Sequence, residues 1–228
     1  MLRERTNTDS LSEFVRYLAQ HEEANGGQLP PISELSRELG VSIASLREQL
    51  EVARALGLVE VKPRTGIKRL PYTFTPAVRY SLRYALMRNN ENFGKYSELR
   101  NHIESVYWHE AVQLLTEDDK QELRFLLAQA KEKLNGNPIQ IPHEEHRKLH
   151  MAIYQRLENP FVTGILEAYW DAYEAVGLNV FAGGLSYLEK VWEYHTQMVE
   201  AICNKDYEAG YQALIQHTDL LYHRPESK

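Results

Sequence analysis

Cysteine is almost missing from this chain. Cys203 is the single one among 228 residues, so no intrachain disulfide is possible and a reducing cytoplasm is the expected home. Long apolar runs are missing too: no stretch could span a bilayer, and Met1-Leu2-Arg3-Glu4-Arg5-Thr6 is too polar for a signal peptide, so no membrane partner is expected. There is no excess of positive charge, and a net charge of −6 argues against indiscriminate coating of nucleic acid. Catalytic signatures are also lacking. There is no G-x-S-x-G and no P-loop; His143-Glu144 is followed by Arg147 where a zinc protease needs histidine, and no histidine follows a glutamate by three residues as di-iron oxidases require. An enzyme is not expected; a metal-dependent hydrolase using Glu104 as a base is the least favoured alternative.

What is present is ordinary for a soluble globular protein, with 43% apolar and 25% charged residues, enough to bury one large or two modest cores. Charge is not evenly spread. Residues 1–72 hold ten basic and ten acidic side chains, whereas 73–228 hold sixteen and twenty-two, so the acidity belongs to the second segment.

In the first segment, Leu11, Phe14, Val15 and Leu18 fall at helical spacing between Ser10 and about Glu23. A short helix over Ile32 to Leu39 ends at Gly40, and Ser42 is placed to cap another that buries Leu46, Leu50 and Ala53. Two helices so joined form a helix-turn-helix. A hairpin follows, Leu58 to Lys62 and Ile67 to Leu70 around Pro63-Arg64-Thr65-Gly66, with Lys62, Arg64, Lys68 and Arg69 crowding its tip against only Glu60. This is the pattern of a winged helix, whose second helix enters the major groove while the wing meets the phosphate backbone. Ser42, Ser45 and Arg47 then face DNA, with Lys62, Arg64, Thr65, Gly66 and Lys68 as wing contacts.

Leu29-Pro-Pro-Ile-Ser-Glu-Leu-Ser, Leu39-Gly-Val-Ser, Leu46-Arg-Glu-Gln-Leu50, Gly57-Leu-Val59 and Gly66 resemble, in order and spacing, the head of GntR-family transcription regulators over about residues 10 to 70. The resemblance implies operator DNA as partner. Ser33 and Ile43 stand where that family usually carries arginines that contact DNA. That departure supports an alternative: a metal-stabilised sensor or scaffold with a degenerate head.

Beyond a linker and connecting helix at 73–95, everything reads as helix: 77–88, 96–115, 117–134, 142–157, 161–180, 186–202 and 207–222. The expected fold class is mostly α: a winged helix over 1–72 and an antiparallel all-α bundle over 96–228. His146 and His150 lie one turn apart on the stripe that continues through Leu149, Ile153 and Leu157. His195 interrupts the stripe of Val191, Met198, Val199 and Ile202, and His217 that of Gly210, Ala213, Leu214 and Leu221. Four inward imidazoles can be satisfied together by one transition metal, or separately as core histidines bonded to carbonyls or carboxylates. Residue periodicity alone leaves both open.

The bundle also resembles a family domain. Leu99-Arg100 with Glu104, His150-Met-Ala-Ile, Glu158-Asn-Pro160, Tyr194-His-Thr-Gln-Met-Val-Glu-Ala-Ile202, Asp206, Ala213 and His217 are similar to the FadR-type C-terminal (FCD) ligand-binding domain. Many members bind a divalent metal through an aspartate, a histidine four residues later and two histidines on the last helices. His150, His195 and His217 match, and His146 occupies the aspartate position, an all-nitrogen shell that suits zinc, nickel or copper better than manganese. The resemblance also implies that Arg100, with Glu104 and Tyr107 on its stripe, holds a small carboxylate effector. The molecule is then expected to be a homodimeric, cytoplasmic regulator that reads pseudo-palindromic half-sites.

Overall fold

A computed structural model describes residues 11–21, 25–177 and 185–222. Ser10, Glu23, Val180 and the side chain of Leu221, each part of an expected element, lie outside the described residues. The chain forms two compact units, 1–81 and 82–228.

The first unit is a winged helix. Helix α1 (Glu13–Gln20) starts at Ser12, whose hydroxyl accepts from Val15 N, and α2 (Ile32–Leu39) stops where Gly40 turns left-handed at φ 67°. Only two residues then separate Gly40 from α3 (Ile43–Ala55), capped by Ser42 through Ser45 N. Strands β1 (Val59–Lys62) and β2 (Gly66–Arg69) pair antiparallel, Val59 opposite Arg69 and Lys62 opposite Gly66. Alternation turns Val59 and Ile67 inward onto Phe14, Leu18, Leu35, Leu46, Leu50 and Ala53.

Helix α4 (Thr75–Arg88) leads out of this unit into the second, which is entirely helical among the described residues. Its members are α5 (Asn92–Gln113), α6 (Glu117–Leu134), α7 (His143–Tyr154), α8 (Pro160–Ala172), α9 (Leu185–Cys203) and α10 (Tyr207–Tyr222). Helix α8 passes directly into a π turn at Tyr173–Gly177, a local widening frequent at functional sites. Thr116 and Asp119 close a capping box at the start of α6, and Asn159 caps α8 with Pro160 in its first turn.

Helix α5 is central, packing on α7, α8 and α10. Its Trp108 is fully buried and donates to Tyr207 O at 2.9 Å, which fixes where α10 begins. Gly210 allows that approach: a methyl group there would sit 2.7 Å from Trp108 Cζ2 and 3.3 Å from Ala201 Cβ. Helix α7 is held by ion pairs to both neighbours, Glu145 to Lys133 of α6 at 2.6 Å and Arg147 to Asp171 of α8 at 3.0 Å. Glu145 and Arg147 thus border, on either side, the face of α7 that turns Leu149, His150 and Ile153 inward.

Gly210→Ala should therefore overpack the α5–α10 contact and cost about 1–3 kcal/mol. A urea unfolding midpoint equal to the parent's would show that Trp108 has room to move.

Candidate metal centre and nucleic-acid interface

The histidines of α7, α9 and α10 meet. Each of His146, His150, His195 and His217 offers one ring nitrogen, and these nitrogens all lie within 4.8 Å of one another, a group that could hold a metal ion. His150, His195 and His217 are buried completely or nearly so, and ring centroids are as close as 4.4 Å between His195 and His217. Burial is the main reason all four sit well below the ordinary imidazole value, with neighbouring rings and Arg100 adding to it. The neutral form of each ring is therefore favoured.

Hydrogen bonding does not engage every ring nitrogen. Among the described residues His146 Nε2, His195 Nδ1 and His217 Nδ1 are buried without a hydrogen-bond partner. His150 is the exception: Arg100 Nη2 lies 2.8 Å from its Nδ1, and its Nε2 is 3.0 Å from His195 Nε2. A guanidinium only donates, so Nδ1 accepts and the ring proton sits on Nε2, aimed at His195. Separate core histidines would each have found a carbonyl or carboxylate; three of these nitrogens have not.

Arg100 is 1% exposed. Its guanidinium lies over Tyr169 at 4.7 Å and Trp170 at 5.2 Å, and its Nη1 donates to Asn101. Glu104, fully buried, places Oε1 2.9 Å from Arg100 Nε and Oε2 3.2 Å from His150 Nδ1. The distances are those of ion pairs, while the angles fall short of hydrogen bonds. Burial pushes the Glu104 carboxyl up to about 7 against the opposing pull of Arg100.

Beside the imidazoles lies a cavity of about 30 Å³ whose lining includes Arg100, His146, His217, Tyr169, Tyr173 and Tyr187. Of the three expected effector contacts, Arg100 reaches this cavity. Glu104 backs Arg100 and His150 instead, and the Tyr107 hydroxyl meets Asn159 Nδ2 at 3.5 Å. The aromatic walls carry no spacing signal in the sequence beyond the dense run Tyr169-Trp170-Asp171-Ala172-Tyr173.

In the first unit, Arg47, Lys62, Arg64, Thr65, Gly66 and Lys68 are all exposed. Lys62 is paired with Glu60 at 2.9 Å, and Arg69 donates to His21 O, which leaves Arg64 and Lys68 as the wing's unpaired cations among the described residues. The Ser42 hydroxyl is occupied in capping, and the half-buried Ser45 hydroxyl accepts from Gln49 Nε2 at 3.3 Å. Ile43 and Ala44 are exposed beside them, and the sequence reading did not number either among the DNA contacts.

The site's protonation sets a pH dependence. Unfolded imidazoles take up protons near 6.5 while the buried ones resist, so acid favours the unfolded state. Glu104 acts oppositely: its raised value gives a contribution present at low pH and lost as pH rises from 4.5 through about 7. Four imidazoles outweigh one carboxyl. In a chelator the urea midpoint should fall between about pH 7 and pH 5; a flat profile would mean the rings are already charged in the fold.

The FCD domain family model matches residues 96–220, the stretch that carries Arg100, Glu104 and all four histidines. No functionally curated protein matches the sequence. Among solved structures, Streptococcus agalactiae GntR is similar over 91% of this chain and 94% of its own, at 18% identity and a TM-score of 0.66, a likeness of fold. E. coli McbR/YncC (22% identity, 86% of this chain and 90% of its own, TM-score 0.49) and a GntR-family regulator from Pseudomonas syringae pv. tomato (20%, 90% and 78%, 0.46) superpose less well. With more than half its length matched and a winged helix in front of the match, the chain belongs to the FCD-domain regulators of the GntR family.

Proposed function

We propose that this protein is a ligand-responsive transcription regulator whose winged helix reads operator DNA and whose helical unit holds one divalent transition metal and senses a small organic acid. The observation that carries the sensor half is the convergence of four imidazoles from three helices, three of them buried and His146 partly so, beside a buried arginine. His146, His150, His195 and His217 would hold the ion: three of them carry a nitrogen without a hydrogen-bond partner, and His150 would join them by giving up a present contact with Arg100 or His195. A shell of four neutral nitrogens adds no ligand charge and favours zinc or nickel over manganese. The ion would supply a Lewis-acidic position that attracts a carboxylate.

The chain's own residues supply the rest. Arg100, stacked on Tyr169 and Trp170, presents a planar fork suited to the second carboxylate oxygen. Glu104 balances Arg100 and the ion from behind, the nearest negative charge to a shell in which histidine stands where relatives carry aspartate. In the head, Arg47 is the helix cation free to meet a base, and Arg64 and Lys68 are the wing cations free to meet phosphate. Large apolar side chains exposed on the helical unit, Tyr84 and Met87 of α4 and Val106 of α5, support a homodimer. An effector coupling of about 1–3 kcal/mol would change operator affinity roughly 5- to 150-fold. A cytoplasmic setting fits a single unpaired cysteine.

Two measurements test this. Elemental analysis should find about one zinc or nickel per chain, lost in the His195→Ala, His217→Ala double variant; unchanged metal content would make the histidines structural. Arg47→Ala should weaken binding to DNA upstream of the protein's own operon about tenfold or more, read by mobility shift, and an unaffected parent-like affinity would remove α3 from the interface.

A further inference from the structure

The amino end of α3 is where a helix-turn-helix meets base edges, and its chemistry in this chain is specific. The polar groups there are used within the head. Ser42 Oγ accepts from Ser45 N at 3.1 Å, and Ser45 Oγ accepts from Gln49 Nε2 at 3.3 Å. Gln49 also accepts from Phe14 N at 2.9 Å and donates to Glu13 at 3.1 Å, tying α1 to α3. What the first turn and a half offers outward is Ile43, Ala44, Arg47 and Glu48, all exposed.

Ile43 has no structural use that accounts for it. It is 41% exposed, belongs to neither the core of the head nor the residues packed against that core, and as a β-branched residue gains nothing in helix propensity over leucine or alanine. It sits four residues before Arg47, so both side chains project from one face. Arg47 has no ion-pair partner among the described residues and is free to take guanine O6 and N7 in bidentate fashion. Along the major groove the one apolar group of any size that a base presents is the 5-methyl of thymine, cytosine offering only a hydrogen at that position.

We infer that Ile43, with Ala44 beside it, packs on the 5-methyl group of a thymine within one or two base pairs of the guanine read by Arg47, and so sets operator specificity at that position. The inference rests on the DNA-reading function proposed above and names what part of the operator the head selects. An apolar residue here is then a reader of a different base, not the loss of a contact.

The test uses the full-length protein. Duplexes enriched by it from a randomised library give a consensus half-site, and each thymine in that consensus is replaced singly by deoxyuridine, which removes only the methyl. One thymine per half-site should weaken binding roughly three- to fivefold when its methyl is removed. Ile43→Ala, exposed and therefore expected to fold normally, should bind the thymine duplex with the same loss and show no further loss with deoxyuridine, while Ile43→Val keeps most of the methyl effect. A consensus with no methyl-sensitive thymine, or a methyl effect of equal size in Ile43→Ala, overturns the assignment of Ile43 while leaving DNA binding intact. Failure to enrich any sequence overturns both together, and is distinguishable because no consensus emerges.

Discussion

Neutral imidazoles buried without partners are the constraint from which the rest of the helical unit follows. Taking a ring nitrogen out of water without a new hydrogen bond costs on the order of 1–3 kcal/mol. Three rings of the cluster each bury one such nitrogen, and a fold of marginal stability does not carry that cost for nothing. The surrounding order serves to keep them together. Lys133, Asp171 and Glu174 clamp the outer side of α7, Trp108 and Gly210 set the position of α10, and Tyr169 and Trp170 hold Arg100 at the edge of the group.

Charge follows the same logic. On the proposed reading an ion held by four neutral ligands would keep its full positive charge, with Arg100 adding another beside it. Glu104 is the compensating group, which accounts for a carboxylate with no exposure on the core face of α5. Its raised value of about 7 is the sign of the opposite imbalance: with only Arg100 to offset burial, the carboxyl holds its proton more firmly than in water.

The pattern of inward histidines was legible because helical periodicity marks which face is buried, and His146, His150, His195 and His217 all interrupt apolar stripes. The winged head was legible for the same reason, since caps and turns there are local: Ser42, Gly40 and the alternation of Val59 and Ile67 each state their own structure. What periodicity could not show is how side chains from distant segments divide the work. Arg100 and Glu104 read as an ordinary one-turn ion pair, and the contact of Glu104 with His150 crosses from α5 to α7. The lining by Tyr173 and Tyr187 depends on a π turn and on the start of α9, neither of which has a spacing signature. In the head, the same locality that made Ser42 readable as a cap commits an acceptor site of its hydroxyl to nearby backbone, while the residue stays exposed.

The size of the cavity bears on how a signal could arise at all. About 30 Å³ accommodates no more than a water or two, and a carboxylic acid needs more. For the proposed acid to reach Arg100, the lining would have to rearrange, with Tyr173 and Tyr187 the side chains on the cavity wall placed to do so. A ligand shifts an equilibrium only by the difference in its affinity for the two states. On the proposed reading that difference would come from the lining, since only a rearranged one would admit the acid. Tyr187 and His195 share α9, and Tyr173 follows directly on the helix that carries Trp170. Moving either tyrosine thus bears on an element that also positions a histidine or Arg100. If the proposed acid and ion both bind, they would be coupled through the same two helices, and by reciprocity each would alter the affinity for the other by the same factor.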